Sequence, residues 1–464
     1  MRRILTLTLG VLRFAVAGLL LWLAWEWRSP LFASIRAPAF AALILLPVAL
    51  IVLEVVMRRL GTRSLGTKWL PGTLLGAATA IVAALAAGTT LFTDLHFRWM
   101  RYQVLHADAA QVERLGRHFM IGYRDDPAAL RDLIERRAIA GFFITAHNVR
   151  DKDAGTVRQE IDGFQAIRKR QGLPPLLIAT DQEGGAISRM SPPLARPTTL
   201  GDIVRSHSDA TERQQAVRSY AEEVGRSLAS LGINVNFAPV VDLDHGLDNP
   251  NDRYSRISSR AISNDPKIVA EVAADYCDGL RRHGVQCTLK HFPGLGRVFE
   301  DTHFERASLT TSADELARTD WVPFRSLMQQ PGMFTMLGHA RLTAIDAERP
   351  ASFSAPVVSG LLRGTWKYGG ILVTDDFSMA AAYETPGGLA AASVAALNAG
   401  VDLILTSYDP DQYFPMVYGL LHAEAAGKLA NEALERSDRR LAGAITEPAA
   451  QITRASCRLA GNSC

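Results

Sequence analysis

At 464 residues the chain has room for one large domain with an appendage, or for two ordinary domains. Its formal net charge of +3 is small for that size and gives no electrostatic case for nucleic-acid binding. Cys277, Cys287, Cys457 and Cys464 form no CxxC pair, so neither a zinc site nor a disulfide framework is expected. Only Cys457 and Cys464 suggest a small closed loop, should the C-terminus lie in an oxidising compartment.

Hydrophobic residues make up 48% of the chain, and the excess lies at its start. Ile4–Trp25, Ala37–Met57 and Leu74–Phe92 are each near the ~20 residues that cross a hydrocarbon core. Arg13 is costly inside the first run, and a signal peptide is its rival reading, although no small-residue cleavage site follows. Trp22, Trp25 and Trp27 stand where an aromatic belt belongs. Arg2 and Arg3 precede the first run, and Arg58, Arg59, Arg63 and Lys68 follow the second. The loop between the first two runs carries only Arg28 and Arg36, opposed by Glu26. The bias predicts a cytoplasmic N-terminus, a multi-pass anchor over residues 1–95 in the lipid bilayer, and an extracytoplasmic remainder. If Arg13 breaks the first span, that topology inverts.

From about residue 105 short apolar runs alternate with amphipathic segments. The runs are Phe119–Tyr123, Ala140–Thr145, Leu176–Thr180, Asn234–Val240, Gln286–Lys290, Met333–Leu337, Ile371–Thr374 and Asp402–Thr406. Between them, Pro127–Arg137, Thr211–Leu231, Asp265–His283 and Gly388–Ala399 read as helices. The alternation predicts an α/β fold, a TIM (β/α)8 barrel over residues 105–445, with a loose tail over 446–464. Gly141, Gly232, Gly284, Gly332, Gly370 and Gly400 introduce strands, as short helix-to-strand turns require. Strand ends carry Asp181, Asp242, Lys290 with His291, His339, and Asp375 with Asp376. In a barrel these converge on one mouth.

The segment Lys290-His291-Phe292-Pro293-Gly294-Leu295-Gly296, followed after four residues by Asp301-Thr302-His303, resembles the signature of glycoside hydrolase family 3, β-N-acetylglucosaminidase branch. Four further segments agree in order. They are Asp181-Gln182-Glu183-Gly184-Gly185 with Arg189, Asn236-Phe237-Ala238-Pro239-Val240-Val241-Asp242, Arg260 before Asn264-Asp265-Pro266, and Val373-Thr374-Asp375-Asp376 before Met379. The resemblance covers roughly residues 105–440 and omits the anchor. It implies Asp375 as nucleophile, His303 as general acid/base and Asp301 as the group that orients the imidazole. It also implies a sugar site built from Asp181, Arg189, Arg260, Lys290 and His291, with no metal or organic cofactor.

Chemistry and resemblance agree on the reaction type. Retaining glycoside hydrolysis needs a carboxylate to attack the anomeric carbon and an acid to protonate the leaving oxygen. Imidazole titrates near neutrality and suits the second role. The preference for an acetamido sugar comes from the resemblance alone, as does the expectation of peptidoglycan fragments as substrates. Gly294 and Gly296 suggest a mobile loop that delivers His303. Gly184-Gly185 could instead begin a phosphate-cradling turn, but no Lys-Ser/Thr follows. Asp376 reads as structural, as a helix cap or a partner for a cation, and Asp402 as structural too. Asp242 and His339 are open between support and sugar contact. A β-glucosidase, a xylosidase or a glycoside phosphorylase on the same fold, and a silent membrane-tethered glycan-binding protein, are the competing functions.

Overall fold

The structure, a computed structural model, describes residues 2–64, 70–124, 127–247, 249–330 and 332–444. Lys68 and the tail with Cys457 and Cys464 lie outside these residues. The chain divides into two compact units, residues 1–105 and 106–464.

The first unit is built on α1 (Arg2–Glu26), α2 (Arg36–Ser64) and α3 (Leu70–His106). Three helical stretches of this unit, Leu7–Glu26, Pro30–Arg59 and Leu74–His106, are long and apolar enough to cross a membrane. α3 runs past residue 95, where the sequence placed the end of the anchor. Arg13 is compensated: its Nε donates to Glu54 Oε1 at 2.5 Å across α1 and α2. A charge inside an apolar bundle persists when it is paired in this way. Trp22 and Trp25 point outward, but Trp27 is buried and its Nε1 donates to Thr93 Oγ1 at 2.6 Å. Only two of the three tryptophans therefore fit a belt.

The second unit is a closed barrel of eight parallel strands: β1 (Phe119–Gly122), β2 (Gly141–Phe143), β3 (Leu177–Thr180), β4 (Val235–Asn236), β5 (Gln286–Phe292), β6 (Phe334–Leu337), β7 (Ile371–Asp376) and β8 (Leu403–Thr406). Each strand pairs with its sequence neighbours, and β1 closes on β8 with Phe119 opposite Ile404. The principal outer helices are α4 (Pro127–Glu135), α5 (Ala154–Arg170), α6 (Ala210–Ser230), α7 (Pro266–Arg282), α8 (Trp321–Leu327), a π-helix (Pro356–Thr365), α9 (Gly388–Ala399) and α10 (Tyr413–Ala425). This is the TIM barrel that the alternation predicts.

Local sequence explains the hand-offs between elements. α7 starts where Asp265 accepts the Lys267 N–H at 2.8 Å and Pro266 takes a first-turn position. It ends before Gly284, whose φ of +74° turns the chain into β5. Gly141 is needed for a different reason: a Cβ there would lie 1.9 Å from the Leu177 carbonyl oxygen on the neighbouring strand. The strands' inward side chains, including Phe143, Leu177, Phe237, Met336, Val373 and Leu405, fill the barrel interior. Phe143 and Phe237 stack at 5.5 Å, and truncating either to Ala would cost about 3–5 kcal/mol.

The end opposite the site is closed by a helix over residues 431–444, whose Leu441 joins the interior cluster. Asp402, at the start of β8, holds that closure. It accepts from Ser437 Oγ at 2.7 Å, Arg440 Nε at 2.8 Å and Arg363 Nη2 at 2.6 Å. Cys277 on α7 and Cys287 on β5 form a disulfide, against the expectation of no disulfide framework. The helix-to-strand turn between them brings their Cα atoms to 5.4 Å, which their spacing in sequence does not advertise.

Candidate active site

The polar floor of the mouth is a buried charge cluster. Arg260 grips Glu183 with two parallel bonds, Nε to Oε2 at 2.9 Å and Nη2 to Oε1 at 2.7 Å. Lys290 Nζ reaches Glu183 Oε1 at 2.5 Å and Asp181 Oδ1 at 2.7 Å. Glu183 sits on a two-stranded hairpin, Gln182–Gly184 with Ile187–Ser188, which follows β3. Burial opposes its charge, but Arg260 and Lys290 outweigh that and hold its carboxyl far below the usual carboxylate range. Glu183 is a residue that the sequence reading missed. It occupies the third position of Asp181-Gln182-Glu183, and its reach toward both cations is visible only once β3 and β5 are side by side.

Arg260, Lys290, His291 and Asp181 are brought together as the sequence predicted. Arg260 Nη2 also lies 3.5 Å from His291 Nε2, and the Asp181 side chain keeps about 20% exposure for a ligand. The Arg189 backbone N–H donates to the Asp181 carbonyl, while its partly exposed side chain makes no hydrogen bond or ion pair among the described residues. Only Arg189 is thus left outside the network.

Asp242 is fully enclosed. Its Oδ2 accepts from the His291 backbone N–H at 3.0 Å and from Nδ1 at 2.7 Å, and its Oδ1 accepts from the Leu295 N–H at 2.7 Å. No oxygen is left for a sugar, so Asp242 supports His291. With Nδ1 taken by Asp242, the other ring nitrogen, Nε2, is the one turned toward Arg260. His339 is likewise used on both nitrogens, by Ser352 Oγ at 2.7 Å and the Asp376 carbonyl at 3.0 Å. Burial pushes its pKa below the ordinary imidazole value, and Asp375 and Asp376 pull it back only in part.

Asp375 ends β7 and is partly exposed at the mouth. Burial raises its pKa, but the imidazoles of His291, His339 and His303 and the Asp376 N–H prevail, so the carboxyl is held below its usual value. Its own Oδ1 accepts the Asp376 N–H at 2.8 Å. Among the described residues Asp376 pairs with no cation, so one of its two expected structural roles is not met. It accepts from the backbone N–H groups of Ser378 at 2.8 Å, Ser407 at 3.2 Å and Tyr408 at 2.9 Å, and so ties the β8 loop to β7.

His303 is carried on the loop after β5. Asp301 Oδ1 accepts from its Nδ1 at 2.7 Å, and the His303 carbonyl accepts the Ala380 N–H at 3.0 Å from the loop after β7. The side chain is 38% exposed, with Nε2 directed away from the Asp301 contact. Asp301 is held in turn from the loop after β4, by Ser255 Oγ at 3.0 Å and the N–H groups of Arg253 and Tyr254 at 3.2 Å. Burial raises the Asp301 pKa, but His303 and then the Ser255 hydroxyl bring it far below the usual range. The loop is anchored near its start as well: Trp321 Nε1 donates to the Pro293 carbonyl at 3.0 Å, and Arg297 Nε to Asp320 Oδ2 at 2.8 Å. Gly296 has a packing role here, since a Cβ would meet the Leu243 carbonyl oxygen at 1.9 Å. Leu295 is buried with Ile257, Ala307 and Ala340.

Residues 104–444 match the family described as "Glycosyl hydrolase family 3 N terminal domain". A β-hexosaminidase of Stenotrophomonas maltophilia strain R551-3 is 33% identical over 281 residues, which is 60% of this chain and 79% of that protein. Among solved structures, a glycoside hydrolase family 3 β-N-acetylglucosaminidase from Paenibacillus sp. FPU-7 is 29% identical with a TM-score of 0.65. That match covers 73% of this chain and 62% of that one. A β-N-acetylhexosaminidase from Beutenbergia cavernae is 28% identical with a TM-score of 0.63, over 74% of this chain and all (100%) of that one. The chain belongs to glycosyl hydrolase family 3.

Proposed function

We propose that the chain is a retaining β-N-acetylhexosaminidase that removes terminal β-linked N-acetylglucosamine. The carrying observation is the pairing of an ionised carboxylate at the end of β7 with an imidazole whose Nδ1 is occupied by Asp301. Asp375 attacks the anomeric carbon, forming a C–O bond as the bond to the leaving oxygen breaks. His303 Nε2 supplies the proton that the leaving oxygen takes up. The same nitrogen then removes a proton from water, which attacks the anomeric carbon and frees Asp375. Asp301 keeps the ring in register and balances the imidazolium. Asp181, Lys290, Arg260, His291 and Arg189 hold the sugar through charge-assisted bonds worth roughly 1.5–3 kcal/mol each. The acetamido preference is carried over from the hexosaminidases that this chain resembles.

The working side is extracytoplasmic, supported by the basic bias of the second loop and by the Cys277–Cys287 disulfide, a bond of oxidising compartments. Peptidoglycan fragments are the substrates that the family resemblance implies for that side. Proton NMR of the first-formed sugar tests the mechanism: the full chain in detergent should release the β-anomer from a β-N-acetylglucosaminide. An α-anomer released first would overturn the covalent route.

A further inference from the structure

Among its described residues the barrel unit exposes five large apolar side chains: Leu247, Tyr254, Phe299, Phe304 and Tyr408. All five lie on loops after β4, β5 or β8, that is, on the rim of the mouth. Isolated apolar residues on a surface need no explanation, but their confinement to one rim does.

Tyr254 touches the chemistry directly. Its ring centroid is 5.4 Å from that of His303 at an interplanar angle of 37°, and 5.4 Å from that of Phe304 at 56°. Its backbone N–H donates to Asp301 Oδ2 at 3.2 Å, while His303 Nδ1 donates to Oδ1 at 2.7 Å. One carboxylate therefore holds both the imidazole and the backbone that carries the aromatic ring. An acid that protonates a glycosidic oxygen must meet the leaving group, and so must the side chains beside it.

We infer that Tyr254 and Phe304 form the leaving-group subsite, where the apolar C–H face of a second pyranose ring stacks. The inference rests on the hydrolase reading above. Exposed Arg253 and Glu305 adjoin these rings in the chain, so the subsite offers narrow apolar faces among charged groups. A sugar, with an apolar face ringed by hydroxyls, fits that pattern. A lipid chain needs a continuous apolar area.

The test is kcat/KM of the full chain in detergent on N,N′-diacetylchitobiose, methyl N-acetyl-β-glucosaminide and the octyl glycoside. The methyl substrate has no ring to stack. The chitobiose-to-methyl ratio should fall about three- to ten-fold in Tyr254→Ala and in Phe304→Ala, and hold in Tyr254→Phe. An unmoved ratio, or equal losses on both substrates, overturns the subsite and leaves hydrolysis standing. A fall confined to the octyl glycoside would assign the rings to an apolar chain, against the inference. Turnover of none of the three by the wild-type chain would overturn the hydrolase reading, and the subsite with it.

Discussion

Asp301 Oδ1 accepts twice from His303, from the backbone N–H at 3.0 Å and from ring Nδ1 at 2.7 Å. This chelate sets the imidazole plane relative to its own backbone and leaves Nε2 clear of Asp301. Asp301→Asn keeps the shape but removes the charge and one acceptor. We expect kcat to fall about 10²- to 10⁴-fold in stopped assays with an aryl glycoside. The acid limb of the rate profile should not move, because it belongs to Asp375. That limb should lie below the usual carboxylate range, since the folded Asp375 carboxyl is held down by three imidazoles. A limb at or above the ordinary carboxylate value would contradict the assignment.

Ser255 links the two halves of the site: its hydroxyl donates to Asp301 at 3.0 Å, and its carbonyl accepts Arg260 Nη1 at 2.7 Å. Ser255→Ala removes only the first contact. As a positioning residue it should lower kcat about three- to ten-fold with KM nearly unchanged, and Ser255→Thr should restore most of the rate. A lowered melting temperature with unaltered kcat would make the hydroxyl merely structural.

Glu183 is the counter-charge for both Arg260 and Lys290. Glu183→Gln leaves two buried cations undercompensated and should cost about 3–5 kcal/mol in chemical denaturation. The pH dependence follows from the sign of the shift. A carboxyl depressed in the folded state adds stability that is fully present above its unfolded pKa and is lost as pH falls toward the folded one. Wild-type stability should therefore decline on acidification below the ordinary Glu range, and the variant should lose that part of the slope. Equal acid slopes would contradict the role given to Glu183.

The eight strands were legible because apolar runs, turn glycines and terminal ionisable residues coincide, as at Leu177–Thr180 before Asp181. The Asp375, Asp301 and His303 positions were legible through family-like spacing. What stayed hidden depends on contacts between distant segments. Glu183 and Ser255 are common residue types whose partners, Arg260 and Asp301, lie 77 and 46 positions away. Asp376 was legible as structural but its partners were not, because its backbone donors Ser407 and Tyr408 belong to the next strand's loop. The barrel-closing helix at 431–444 is held through Asp402, whose role shows only when β8 and that helix meet.

The Cys277–Cys287 bond joins residues 10 apart across the α7–β5 turn. In the loop-entropy account, closing so short a segment adds about 2–3 kcal/mol. Replacing both cysteines by Ser should lower the urea midpoint accordingly, and an unreduced digest of the wild-type protein should retain the cross-linked peptide pair. Free, alkylatable thiols at both positions would contradict the oxidised form and remove one support for the extracytoplasmic side.

The most direct measurement is nitrophenol release by the full chain and its Asp375→Ala variant, from the N-acetyl-β-glucosaminide and the β-glucoside. The account predicts turnover of the first substrate alone, falling at least about 10³-fold in the variant. Comparable activity in folded Asp375→Ala, or preferred cleavage of the glucoside, would contradict it.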